Sequence, residues 1–167
     1  GWENSLRPSL ELCKKRNEGL ETLGAEIGVA IGDNASEILK SWPEVKLILV
    51  DSYWHSLEWA KRTQDRLLQF ESRVKWYIMD SQEASREVKD CSLDFVYIDA
   101  SHTYRDCYMD IRVWWPKVKS DGILCGHDFF EEPGTREAVC EFAKDNNLEL
   151  HAKWFDDFWI IKPKEKI

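Results

Sequence analysis

Four short apolar runs in this chain each stop on an acidic residue or a histidine. The run 46–50 stops on Asp51, 74–79 on Asp80, 93–98 on Asp99, and 122–126 on His127 and Asp128. A first run, 25–29, leads into glycines at 28 and 32. Runs of four to eight apolar residues bounded by turn residues read as strands buried on both faces. Between them apolar residues recur at helical spacing: Ala35, Ile38, Leu39 and Trp42; Leu57, Ala60, Leu67 and Leu68; Cys107, Ile111, Trp114 and Val118; and Ala138, Val139 and Phe142. Strands that alternate with helices form right-handed crossover units and a mainly parallel sheet, and such a sheet puts all its strand ends on one edge. Ligands bind at that edge.

The remaining elements complete one domain over residues 1–167. Residues 1–23 carry a leading helix, read over 9–20 from Leu10, Cys13 and Leu20, and a short helix is expected over 82–89. Pro43 ends the helix before it, Pro116 ends or bends the one over 107–118, and Asp121-Gly122 is expected to turn into the fifth strand. Two extended runs, 148–152 and 158–161, flank Asp156-Asp157 and read as a closing hairpin with one antiparallel strand. The fold class is therefore α/β, a single Rossmann-like doubly wound sheet, mainly parallel with an antiparallel C-terminal strand.

Composition narrows the partners. The net charge of −8 disfavours nucleic acid and anionic membranes and still permits a small ligand. Five cysteines, an odd number with no C-x-x-C, fit reduced thiols and a cytoplasmic protein. No apolar run approaches the ~20 residues of a membrane span. No signal peptide is visible, although residue 1 is Gly and an upstream segment is left open. Asn34-Ala35-Ser36 matches a glycosylation sequon by chance. Most of the nine tryptophans are expected in packing, with Trp54 placed near the binding edge. Nothing specifies an oligomeric state, and a homodimer is left open.

The strand ends carry the chemistry. Glycines 28 and 32 permit a sharp turn and the close approach of a ligand, or only a tight turn. Asp51 lies 19 positions after Gly32, near the spacing of a carboxylate that accepts from both hydroxyls of a ribose; it could equally cap the next helix. Asp80 and Ser81 suit an adenine edge or a helix cap. Asp99 and His102 face His127 and Asp128 across adjacent strand ends, a set able to hold a divalent cation or move a proton. His102 is the candidate base, since imidazole titrates near neutrality. His55 reads as loop and His151 as strand surface.

These residues resemble the class I S-adenosylmethionine-dependent methyltransferases from about Gly24 to the C-terminus. Glu26-Ile27-Gly28-Val29 with Gly32 and Ser36 looks like their first motif, and Asp51 matches their ribose-binding acid. The segment from Asp94 through Asp99 and His102 to Tyr104 is similar to that of a small-domain subgroup, as are Gly126-His127-Asp128 and the helix from Thr135. The resemblance implies that Glu26, Gly28, Gly32, Ser36 and Asp51 hold the cofactor, with Asp80 and Ser81 at the adenine. More distantly the chain is similar to cation-dependent O-methyltransferases of the catechol and caffeoyl type. That likeness implies a metal on Asp99, His127 and Asp128, with His102 where those enzymes carry a lysine base. His127 is a poor ligand for magnesium, which prefers oxygen.

The expectation is an S-adenosylmethionine-dependent methyltransferase acting on an oxygen of a small molecule, with a divalent metal left open. A nicotinamide-dependent oxidoreductase is the alternative enzyme, against which the missing G-x-G-x-x-G counts. A non-catalytic nucleoside-binding domain is the third reading.

Overall fold

The computed structural model describes residues 6–153 and 157–165. The elements run α1 (Pro8–Arg16), β1 (Thr22–Ile27), α2 (Asp33–Ser41), β2 (Val45–Val50), α3 (Leu57–Arg66), β3 (Val74–Tyr77), α4 (Ser81–Arg86), β4 (Leu93–Ile98), α5 (Tyr104–Trp114), β5 (Val118–Gly126), α6 (Pro133–Asp145), β6 (Leu150–Lys153) and β7 (Asp157–Ile161). The seven strands lie in the order β3-β2-β1-β4-β5-β7-β6. Strands β1 to β5 pair in parallel, and β7 runs antiparallel to both β5 and β6. The order reverses beside β1, which opens a crevice between the ends of β1 and β4.

Helices cover both faces. Along β4, Phe95 and Tyr97 join Leu10, Ile38, Leu39 and Trp42 from α1, α2 and the end of α2. Val96 and Ile98 join Ile111, Trp114, Val139 and Phe142 from α5 and α6. Successive strand side chains point to opposite faces, so a run buried throughout is the signature of a central parallel strand. Gly24 leaves room for the Phe95 ring, which stacks on Trp42 with centroids 5.5 Å apart.

Several boundaries differ from the sequence reading. α1 ends at Arg16, and Leu20 lies exposed beyond Gly19 at φ +75°. β1 stops at Ile27, so Gly28 and Val29 already belong to the loop. α5 ends at Trp114, one residue before a 3-10 turn over Trp115–Lys117, because Pro116 lacks the N–H that the helix needs. Asp121-Gly122 is not a turn before the strand but an irregularity within β5. Leu93 pairs with Val118 while Phe95 pairs with Ile123, and Asp121 takes φ 68° to absorb the extra residues. The closing hairpin is present as β6 and β7; Trp154 and Asp156 lie outside the described residues, and Asp157 opens β7 fully buried.

Candidate active site

The loop after β1 is tied down from three sides. Asp51, just past β2, accepts hydrogen bonds from the backbone N–H groups of Val29 and Ala30 at 2.9 Å and from Tyr53 N–H at 2.9 Å. The carbonyl of Ala30 accepts from the Tyr53 hydroxyl at 2.9 Å and the Thr63 hydroxyl at 2.8 Å. Gly28 takes φ +89° and lies so close to the end of β4 that a Cβ there would sit 2.2 Å from the Asp99 carbonyl oxygen. Glycine is needed here on both counts. Gly32 is tight against Thr63 and leads into α2.

Across the crevice, His102 stands among carboxylates. Its Nε2 lies 2.7 Å from Asp128 Oδ2 and 4.0 Å from Asp99 Oδ1, and its Nδ1 lies 3.9 Å from Glu132 Oε1. Asp99 first, then Asp128 and Glu132, raise the imidazole to about 9 against the opposing effect of partial burial. Burial pushes Asp128 up, but the imidazoles of His127 and His102 outweigh it and hold this carboxyl below its ordinary range. Burial raises Asp99, with the nearby Asp128 adding to it. The chain from His102 to Tyr104 is itself pinned by α6. A Cβ on Gly134 would meet the His102 carbonyl oxygen at 2.3 Å.

Between these two halves lies a cleft of about 590 Å³, open to solvent. Gly28 and Asp51 line it from the loops after β1 and β2, Asp80 and Ser81 from the start of α4, and Asp99 and His102 from the loop after β4. Asp80 caps α4 by accepting from Gln82 N–H at 2.9 Å. The Ser81 hydroxyl donates to Asp110 of α5, which is buried and also borders the cleft. Beneath the loop Glu26 is buried, and its Oε2 has no partner. Burial, and then the charge of Asp99, push that carboxyl well up.

A volume of this size suits a nucleoside-sized ligand, and its walls carry acids and no lysine or arginine. The sequence matches the model of a methyltransferase domain family over residues 25–129. The chain belongs to this methyltransferase family. No curated protein matches it at a significant level. Among solved structures, a protein from Corynebacterium glutamicum is similar at 14% identity and a TM-score of 0.75, covering 94% of this chain and 80% of that one. CalS11, a TDP-rhamnose 3'-O-methyltransferase of calicheamicin biosynthesis in its apo form, is similar at 12% identity and 0.73, covering 92% and 76%. An O-methyltransferase from Bacillus cereus in complex with SAH is similar at 14% identity and 0.72, covering 95% and 83%. The family match favours methyl transfer over the nicotinamide alternative.

Within the methyltransferase, the expected site residues divide into two groups. Gly28, Asp51, Asp80, Ser81, Asp99 and His102 border one cleft. Glu26, Gly32 and Ser36 stand behind it: Ser36 is buried in the first turn of α2, where its N–H bonds the Gly32 carbonyl. Asp99, His102 and Asp128 offer ligand atoms within 4.8 Å of one another, while His127 turns Nδ1 to Asp128 Oδ1 at 3.0 Å and supports that carboxylate from behind. Trp54 does reach the rim, 85% exposed. Sequence reasoning missed Tyr53, Thr63 and Asp110. The first two act on a backbone carbonyl that no motif marks, and Asp110 shares the helical stripe of Cys107, Ile111 and Trp114 that reads as apolar packing.

Proposed function

We propose that this methyltransferase moves a methyl group from S-adenosylmethionine to an oxygen of a small molecule. The observation that carries the proposal is the single cleft that joins Gly28 and Asp51 to Asp99 and His102. When bound, such a donor would supply an electrophilic methyl on a sulfonium, the new C–O bond forming in line as the C–S bond breaks and a neutral thioether leaves. The residues present fit such a donor. Asp51 has one accepting site, on Oδ1, beyond its three N–H partners for a ribose hydroxyl, since a carboxylate offers about four lone-pair sites. The acidic lining of the cleft suits a cationic ligand.

The chain's own contribution is positioning and proton handling. The glycine loop and Asp51 fix the donor, and Asp99 and His102 stand where an acceptor would meet it. Holding the two partners in near-attack geometry supplies much of the rate in a reaction of this kind. His102 is oriented by Asp128 and can take the acceptor's proton only in its neutral form; with its pKa raised to about 9, the base form grows as pH rises, so turnover should increase from pH 7 to pH 9. The same three side chains, Asp99, His102 and Asp128, also fit a divalent cation that tolerates an imidazole. Such an ion lowers the pKa of a hydroxyl bound to it. Elemental analysis of protein purified without chelator, with turnover measured before and after EDTA, tests that part separately. A small-molecule acceptor is part of the proposal, as is a cytoplasmic setting; no helix among the described residues is long and apolar enough to cross a membrane.

Calorimetry with S-adenosylhomocysteine tests the donor site. Micromolar binding is expected, and Asp51→Ala should weaken it at least about tenfold, through the loss of one charge-assisted hydrogen bond to the ligand and of the three that shape the loop. Absent or millimolar binding, or indifference to Asp51→Ala, refutes the proposal.

A further inference from the structure

The start of α1 brings a cation to the strand-end edge beside His127. β7 runs antiparallel to β5 with Phe158 opposite Gly126, so Asp157 stands next to His127 at that edge. Asp157 is 0% exposed, and its Oδ2 accepts the Ser9 N–H of α1 at 2.6 Å. Leu10 and Cys13, further along α1, pack with Tyr97 and Cys125 on the same face of the sheet. These contacts seat the helix with its N-terminus at the edge that carries the site. Arg7 is the N-cap, and its carbonyl accepts the Glu11 N–H at 2.9 Å, so the first turn fixes its backbone. It is half-buried, yet its guanidinium makes no hydrogen bond or ion pair with any described residue. Buried polar groups are normally partnered, and a guanidinium holds five N–H donors in a planar fork. Its charge reaches three strands. Burial raises Tyr97 and Asp157, and the bond to Asp128 raises His127, while Arg7 pulls each of the three down.

We propose that Arg7 holds an oxyanion, a carboxylate or phosphate carried by the methyl acceptor, whose hydroxyl then reaches Asp99 and His102. The inference rests on the methyl-transfer reading of the preceding section and adds the acceptor's charge. The planar fork of a guanidinium matches both kinds of oxyanion. The lining of the cleft itself offers neither lysine nor arginine for such a group. Asp99, Asp128 and Glu132, gathered round His102, repel an anion that arrives without a counter-charge. Arg7 supplies that charge from the side where α1 begins. An acceptor that lacks the oxyanion leaves the guanidinium unmatched, so Arg7 selects by charge.

The test titrates benzoate, phenyl phosphate and the neutral control benzyl alcohol into the protein at pH 7.5, alone and saturated with S-adenosylhomocysteine, followed by NMR. At least one of the two anions should bind in the millimolar range, the tighter of them telling carboxylate from phosphate, and benzyl alcohol should not bind. Arg7→Gln should weaken the anion about ten- to a hundredfold, the loss of a charge-assisted pair. Arg7→Lys should weaken it less, because the charge stays and only the fork is lost. The affinity of Arg7→Gln for S-adenosylhomocysteine should stay within about threefold of the wild type, whereas a role in folding alone would lower both affinities together. The bound anion should move the imidazole resonances of His127 and leave those of His151 in place. Absence of millimolar anion binding overturns the inference and leaves the donor reading standing. So does equal binding of benzyl alcohol, binding indifferent to Arg7→Gln, or movement of His151 in place of His127. Failure of S-adenosylhomocysteine to bind overturns the donor reading, and the titration of the free protein then decides the Arg7 site by itself.

Discussion

Gly28→Ala and Gly19→Ala make a controlled pair, because the two glycines share one difficulty and differ in another. Both have φ in the left-handed region, +89° and +75°. An alanine at either position incurs about 1–2 kcal/mol of backbone strain. At Gly19 nothing lies within 4 Å of the added carbon, so strain is the whole effect. At Gly28 the new Cβ would stand 2.2 Å from the Asp99 carbonyl oxygen, 2.6 Å from its carbonyl carbon and 2.7 Å from Ala100 Cα. All three are backbone atoms at the end of a central strand, held by the Asp99 N–H bond to the Ile27 carbonyl at 2.8 Å. No side chain can swing away, and one of the two strands must move by about an ångström. Forced overpacking of this kind costs about 1–3 kcal/mol. Gly28→Ala should therefore lose about 2–5 kcal/mol and Gly19→Ala about 1–2, out of a total stability of about 5–15. Urea unfolding followed by tryptophan fluorescence measures both. The displacement also shifts Asp99, so Gly28→Ala should lose cofactor-product binding while Gly19→Ala keeps it. Equal destabilisation of the two variants, within about 0.5 kcal/mol, would refute the claim that the β1 loop touches the β4 end so closely.

Three further outcomes are expected. His102→Ala should lower kcat by about 10²–10⁴ with the affinity for S-adenosylhomocysteine changed less than threefold, because the imidazole serves the acceptor and not the donor; a loss of binding equal to the loss of rate would contradict that division. Stability should rise on mild acidification. Burial raises Asp157 and Asp110 to about 6, whereas the unfolded chain releases these protons near 3.9, so each contributes stability that is full below about pH 4 and lost as pH climbs through 6. From pH 7 to pH 5 each should add about 1 kcal/mol, about 2–4 °C in Tm, and Asp157→Asn should remove its share; an unchanged pH slope in that variant counts against the assignment. Thr63→Val should weaken S-adenosylhomocysteine by a few-fold at most while lowering stability by about 1 kcal/mol, since only one of the two hydroxyls on the Ala30 carbonyl is removed. Calorimetry and thermal melting read the two effects separately.

The parts legible in the sequence are those where one physical rule dominates. A central parallel strand is apolar on both faces, so 46–50 and 93–98 stand out, and the first polar residue after such a run must lie at the sheet edge. This is why Asp51, Asp80 and Asp99 are found at one crevice. Positions set by packing at a distance are not legible in this way. Nothing local says that Asp121-Gly122 lies inside a strand, because the irregularity is set by how β4 pairs with it. Nothing near Asp110 marks it as a wall of the cleft, because its partner Ser81 is on another helix. The exchange of His102 for His127 beside Asp99 has the same origin. Both follow a strand end, and His102 alone of the two lines the cleft, while His127 turns to Asp128.

The two halves of the site are held by different means, and the difference suits what each must do. In the Asp51 half, one carboxylate, two hydroxyls and two glycines grip backbone atoms, so the loop geometry depends on contacts that most substitutions elsewhere leave intact. A fixed shape there fits a ligand that is the same at every turnover. In the His102 half the grip is between charged side chains, and the imidazole is 45% exposed. Exposed ion pairs are individually weak and rearrange at little cost. A site half built of such pairs can adjust to an acceptor without disturbing the donor. The β1–β4 pairing, the Asp99 N–H bond to the Ile27 carbonyl and the close approach of Gly28 to the Asp99 backbone together tie the position of the donor loop to the first residue of the acceptor side.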